Sequence, residues 1–222
     1  KTLADRIRAV AALKVSLASE PSLLQQANVQ EAVASLLARE NDLVRANREA
    51  FVKGQPQLFT EDYGEHYSEV LGMAMDVLES EPSGSSVRPR LLTEVLTGTY
   101  NPDSPLAKRL ALEGDPIVPV VVEMTTSGNG PTRWNAYSLI ELLLNASDQR
   151  LLKAPLATGS RQALKAAARG GLLDPAPDVR IFAIGAVLAA KDVEAIPLLF
   201  HMAQTDPDTG AGQLVKYSVR HI

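Results

Sequence analysis

The chain has 222 residues, 45% of them apolar and 22% charged, with a formal net charge of −4. That balance excludes the polar, charge-rich composition of a disordered chain, and the acidity argues against a dedicated phosphate-binding surface. The lack of cysteine excludes disulfides, thiolate metal sites and cysteine nucleophiles. No apolar run approaches the ~20 residues that a membrane helix needs. The chain starts at Lys1, so its compartment stays open: cytoplasmic, or periplasmic or secreted if an export signal was removed before Lys1.

Helical signals follow one another from the start. Residues 2–19 are rich in Ala and Leu, good helix formers, and Pro21 punctuates them. A long segment from Ser22 to Lys53, with a break near Asn28, ends at Gly54. Thr60 offers an N-cap for a helix reaching Glu81, and Pro82–Ser86 reads as a loop. Val87–Leu96 and Pro105–Leu112 come next, separated by the turn Asn101-Pro102-Asp103. Asp115-Pro116 opens a helix to Thr126, since an acidic cap followed by Pro suits a first turn. Val118–Val122 alone suits a strand, but its Pro119 and its flanks favour a buried helix. Pro131 starts a helix to Ala146, and Ser147–Gly159 is hard to read. Ser160–Arg169 follows, with Gly170-Gly171 as its stop. Helices over Pro177–Ala190 and Val193–Thr205 and a segment from Gln213 complete the chain, and no region alternates as a sheet strand does.

The apolar periodicity calls for cover on more than one side. In the helix from Val179, one face carries Val179, Phe182, Ala183, Ala186, Val187 and Ala190, and a second stripe carries Ile181, Ile184 and Leu188. Two stripes require neighbours on both sides. Ala136, Leu139, Ile140, Leu143 and Leu144 share a face, as do Ile196, Leu199, Phe200 and Ala203.

An internal repeat accompanies this pattern. Val44-Arg45, Val87-Arg88, Thr132-Arg133 and Val179-Arg180 lie at or near helix starts, with Arg positions 43, 45 and 47 residues apart, and Val215-Lys216 follows after 36. Pro119-Val-Val-Val-Glu123-Met124 aligns with Pro197-Leu-Leu-Phe-His201-Met202 at an offset of 78. That is about two units of a ~40-residue helix-pair repeat. The clearest unit is Asp174-Pro-Ala-Pro-Asp-Val179-Arg180-Ile-Phe-Ala-Ile-Gly-Ala-Val-Leu188, then Asp192-Val-Glu-Ala-Ile196-Pro197-Leu-Leu199. It resembles the HEAT-repeat family, well over 166–222, fairly over 87–146 and weakly before residue 80. Ser127 departs from the pattern by standing where the turn Asp belongs, and Asn101–Gly114 adds a short helix. The resemblance implies an all-α, right-handed superhelical stack of antiparallel helix pairs. It would form one domain over 1–222, divergent over 1–80 and clearer over 87–222. It also implies a concave side, lined by second helices, that binds partners.

Among candidate chemical groups, Asp62, His66 and Glu69 fall on one helix face, a spacing open to a divalent ion. A solvated acidic first turn is the simpler reading, and no metal is expected. Glu123 and His201 hold equivalent places two repeats apart, too far to share acid–base chemistry. The loops Gly128–Pro131 and Thr209–Gly212 lack the Lys-Ser/Thr of a phosphate-binding loop. Asn145-Ala146-Ser147 matches a glycosylation sequon. Arg133 and Trp134, with Arg161, Lys165, Arg169 and Arg180, could form a base-stacking groove. The plainer alternative has Trp134 covering a repeat boundary, with Arg133 and Arg180 bonding a turn carboxylate or carbonyl.

The expectation is a non-enzymatic scaffold without a cofactor that binds a protein or peptide through second-helix faces at Glu65, His66, Glu69, Glu123, Lys165, Arg169, His201 and Gln204. A nucleic-acid-binding or base-modifying module is the alternative. Oligomeric state is not legible.

Overall fold

A computed structural model describes residues 2–54, 61–80, 87–98, 105–128 and 130–205 of the chain. The described residues are helical throughout, with turns and no strand. None of their helices is long and apolar enough to cross a membrane. They form α1 (Leu3–Ser19), α2 (Ala27–Val52), α3 (Glu61–Ser80), α4 (Arg88–Gly98), α5 (Pro105–Ala111), α6 (Val118–Met124), α7 (Gly130–Asp148), α8 (Thr158–Gly171), α9 (Pro177–Ala190) and α10 (Ile196–Thr205). Short 3-10 turns at Pro21–Gln25, Asp115–Ile117 and Val193–Ala195 precede α2, α6 and α10. The expected loops at Asn101-Pro102-Asp103 and Pro82–Ser86, the Thr60 cap, the Asp62 side chain and everything after Thr205 lie outside the described residues.

The chain divides into two compact units, Lys1–Gly98 and Thr99–Ile222. In the first, α2, α3 and α4 each pack against the other two, and α1 packs on α3. Helix α4, from the stretch where the repeat pattern is clearer, belongs to this unit and closes on α2 and α3. Val33, Leu37, Val70, Ala74, Val77, Leu91, Val95 and Leu96 are its apolar centre. A capping box starts α1: Thr2 Oγ1 accepts from the Asp5 backbone N–H at 3.2 Å, and Asp5 accepts from the Thr2 N–H at 3.1 Å.

The second unit is built differently. Helices α5, α7 and α9 pack in series, α6 packs on α8, and contacts of α7 with α6 and α8, and of α8 with α9, join the two rows. Every residue of the expected α7 stripe, from Ala136 to Leu144, is buried, each large side chain contributing about 2 kcal/mol. On α9, Val179, Ala183, Ala186, Val187 and Ala190 are buried, as is Ile184 from the second stripe. Phe200 departs from expectation: it is 53% exposed, while Leu199 and Met202 turn inward on α10.

Local geometry repeats along this unit. The 3-10 turns Asp115–Ile117 and Val193–Ala195 each run straight into a helix whose second residue is proline, Pro119 or Pro197. Pro there costs no hydrogen bond, because its missing N–H would have no partner in the first turn. Helices α7 and α9 both end on a left-handed residue, Arg150 at φ 58 and Lys191 at φ 49. The next N–H then reaches back five residues, Leu151 to the Ala146 carbonyl at 2.9 Å and Asp192 to the Val187 carbonyl at 3.4 Å. This closes both helices in the same Schellman manner.

Gly170-Gly171 does not stop α8, which contains both residues. The reason for a glycine lies in packing. A Cβ on Gly171 would collide with the Tyr137 ring of α7 and stand 2.7 Å from the Ala183 Cβ of α9. A Cβ on Gly185 would meet only the flexible Glu141 carboxylate, at 2.6 Å. Gly171→Ala is therefore expected to destabilise the chain by about 2 kcal/mol, and Gly185→Ala by less than about 1 kcal/mol. Urea unfolding of the two variants, followed by circular dichroism, checks the difference.

Candidate functional site

A groove of about 460 Å³ lies between α6 and α8. Ala163, Ala166, Ala167 and Gly170 line it from α8, at a spacing that puts all four on one helix face. Val122, Thr125 and Thr126 line it from α6 and its end, the buried Tyr137 lines it from α7, and Leu173 and Asp174 complete it. Leu173 is 68% exposed, a large apolar side chain left in solvent. The polar groups of the groove are already engaged. Thr125 Oγ1 donates to the Val122 carbonyl at 2.7 Å, and Thr126 Oγ1 to the Glu123 carbonyl at 2.8 Å. Burial pushes the Tyr137 hydroxyl above its ordinary pKa, and its hydrogen bond with Thr125 opposes that shift. The groove thus offers small apolar surface and committed hydroxyls.

Asp174 at its rim is fully used. The Arg133 guanidinium approaches it as a fork, Nε donating to Oδ2 at 2.6 Å and Nη2 to Oδ1 at 2.9 Å. Asp174 Oδ1 also accepts from the Ala176 backbone N–H at 2.9 Å, which folds its own turn. Arg133 Nη1 donates to the Ser127 carbonyl at 2.8 Å, and Arg180 Nη1 to the Asp174 carbonyl at 2.8 Å. Both arginines thus bond the carbonyl six residues upstream, so Ser127 and Asp174 are equivalent turn positions. The missing Asp at 127 leaves the backbone part of the pattern intact. Arg133 and Arg180 bond turn groups, and Trp134 packs on Phe182 of α9 at 5.7 Å between ring centroids.

Two further cations of the expected basic region, Arg161 and Arg169, are paired as well. Arg161 bonds Asp148, which also accepts from Lys191 at 2.8 Å. Arg169 reaches Asp192 at 2.9 Å and also Glu194. The Lys191 hydrogen bond, with help from Arg161, holds the Asp148 carboxyl below the usual range.

The expected site residues fall in separate places. Glu65 is exposed on α3, and Glu69 pairs with Lys14 at 2.7 Å. Glu123 on α6 and His201 and Gln204 on α10 are exposed, and Lys165 is half-buried on α8 beside Arg169. No hydrogen bond or ion pair among the described residues joins any two of these eight. His66 requires a correction: it is 2% exposed and turned into the first unit, not onto an exposed helix face. Among the described residues no group of three His, Asp or Glu could hold a metal ion.

His66 belongs to a buried cluster that sequence reading missed. Glu40 of α2, completely buried, accepts two hydrogen bonds from Arg6 Nη1 of α1, at 2.8 and 2.7 Å. Tyr63 Oη of α3 donates to Glu40 Oε2 at 2.9 Å, and the Arg6 guanidinium stands 5.6 Å over the Tyr63 ring. His66 Nε2 lies 3.4 Å from Glu40 Oε1 without hydrogen-bond geometry, and neither ring nitrogen has a hydrogen-bond partner among the described residues. One turn further, Asn41 accepts from Tyr67 Oη at 2.6 Å and donates to Glu94. Burial raises both tyrosine hydroxyls far above their ordinary pKa, with the Glu40 bond adding to the effect at Tyr63. The residues come from positions 34 and 23 apart in the chain. Spacings of that kind carry no periodic signal.

Against family models, characterised proteins and solved structures, the chain finds no match.

Burial works to raise the Asp174 pKa, but the Arg133 fork and the Ala176 N–H outweigh it and hold the carboxyl below the usual range. Its native pKa thus lies below that of an unfolded aspartate, ~3.9. The pair's contribution is complete above that value and is lost as pH falls through the native pKa. Asp174→Ala, which strands a nearly buried guanidinium, is expected to cost about 3 kcal/mol at pH 7. Asp174→Asn should flatten the acid limb of the stability profile below about pH 4. Urea titrations between pH 7 and pH 2.5 check both.

Proposed function

We propose that the chain is a non-enzymatic interaction scaffold whose second unit is built of HEAT-like helix pairs and binds a peptide in the groove between α6 and α8. The observation that carries this reading is the groove wall itself. Ala163, Ala166, Ala167 and Gly170 make one face of small residues with an exposed Leu173 at the rim. An apolar channel with satisfied hydroxyls suits neutral aliphatic side chains.

Three features support the helix-pair reading. The two rows α5–α7–α9 and α6–α8 follow chain order, the 3-10 and proline entrances recur at α6 and α10, and the Schellman ends recur at α7 and α9. The occupant is expected to be a short peptide segment with aliphatic residues, laid along α8. A nucleic-acid reading draws less support, because Arg161, Arg169 and Lys191 are neutralised by acidic neighbours, and a phosphate would have to displace those bonds.

Filling the groove tests the proposal. Peptides selected on the immobilised chain are expected to be rich in Leu, Ile or Val and to lose at least about tenfold in affinity for Ala166→Trp. Glu65→Lys, on the exposed part of α3, should leave them unchanged. Circular dichroism establishes that the variant is folded. Peptides insensitive to Ala166→Trp, or salt-sensitive retention of duplex DNA by the unaltered chain, would overturn the reading.

A further inference from the structure

Helix α1 is attached to the first unit in an unusual way. Of its 17 residues only Val10 and Leu17 are buried, and Val15 is 69% exposed. Leu3, Ile7 and Leu13 are partly buried beside Val10 and Leu17, so the apolar hold on five turns of helix is one stripe of five side chains, two of them buried. Helices α2, α3 and α4 instead bury large side chains into one another, including Leu37, Met75, Leu78, Leu91 and Leu96. Polar contacts add to the α1 stripe. Arg6 grips the buried Glu40 and covers the Tyr63 ring, and Lys14 pairs with the part-exposed Glu69.

What lies beneath that grip is costly to keep dry. A buried carboxylate is tolerable only while its charge partner and hydrogen bonds are in place. His66 beside it has both ring nitrogens buried and without a hydrogen bond among the described residues, its Nε2 only 3.4 Å from Glu40 Oε1. Lifting α1 would expose its single apolar stripe and would return water toward Glu40, Tyr63 and His66. Unfolding α2–α4 would forfeit their shared apolar centre. The two costs are therefore separate.

We infer that α1 is a strap that undocks from the first unit as one piece while α2, α3 and α4 stay folded, with the Arg6–Glu40 pair as its latch. Undocking is an opening of limited extent, distinct from fraying, because the latch sits near one end of α1 and the Lys14–Glu69 pair and Leu17 near the other. Opening transiently presents the Glu40–Tyr63–His66 cluster at the surface.

Native-state hydrogen exchange on the full chain, read by mass spectrometry, tests this. Peptides from α1 are expected to exchange at least about tenfold faster than the slowest peptides of α2 and α3, and evenly along the helix. Arg6→Met should speed α1 by about 30-fold or more, leaving α4 and the slowest α2 peptides within about threefold. Should that variant fail to fold because Glu40 is stranded, Arg6→Met with Glu40→Gln removes both charges and keeps the comparison. It should still leave α1 faster than in the unaltered chain. The chain has no cysteine, so Lys14→Cys with Glu69→Cys can be joined by a short bis-maleimide. That cross-link should bring α1 exchange down to the rate of α3. Equal exchange of α1, α2 and α3 in the unaltered chain would overturn the inference. So would a gradient from the helix end, or a common acceleration of all four helices in both latch variants.

Discussion

A helix with apolar side chains on two faces has to be covered from two sides, and α9 imposes that constraint on the second unit. It cannot be completed by a single partner, so α7 and α8 both pack on it and on each other. These contacts are close because the residues on them are small. Ala136, Ala183, Ala186 and Ala190 are buried on these helices, and Gly171 lets α8 come against Tyr137 and Ala183 where a methyl group would not fit. Close packing of this kind exchanges side-chain bulk for proximity, and it leaves α8 with a second small-residue face toward α6, which is the groove.

The turns between these helices are governed by charge and hydrogen bonding. One carboxylate, Asp174, folds its own turn through the Ala176 N–H and takes the guanidinium fork that starts α7. A turn is thereby tied to a helix start 41 residues away by a nearly buried charge pair. Arg180 repeats the local half of this arrangement, bonding the carbonyl of its own turn. Such pairs add less to stability than apolar burial does, but they restrict which turn faces which helix, because a misplaced guanidinium would be left without its fork.

The first unit meets its constraint by closure. Helices α2, α3 and α4 cover one another, and the polar groups that end up inside, Glu40, Asn41, Tyr63, Tyr67 and Glu94, satisfy one another across three helices. His66 is the exception, buried next to Glu40 without a hydrogen bond. The cluster sits where α1 meets α2 and α3, held by the bonds of Arg6 and Tyr63 to Glu40.

Much of this was legible in the chain itself. Apolar spacing, Pro and Gly positions and capping residues determine nearly every helix, because they act over a few residues and leave a period behind. The turn-bonding roles of Arg133 and Arg180 were readable for the same reason, through the repeat offset. What only the tertiary structure decided are the facts that depend on which helices meet. Glu40, Arg6 and Tyr63 have no sequence relation, and only the closure of α1, α2 and α3 brings them together. His66 fits an exposed acidic face by spacing alone, yet α3 rotates it inward, since Tyr63, Val70 and Val77 on the same side must be buried. Gly170-Gly171 reads as a helix stop in isolation, whereas the close approach of Tyr137 and Ala183 gives Gly171 its purpose. Local patterns fix a helix and its faces, but a face acquires its chemistry only from the neighbour that covers it.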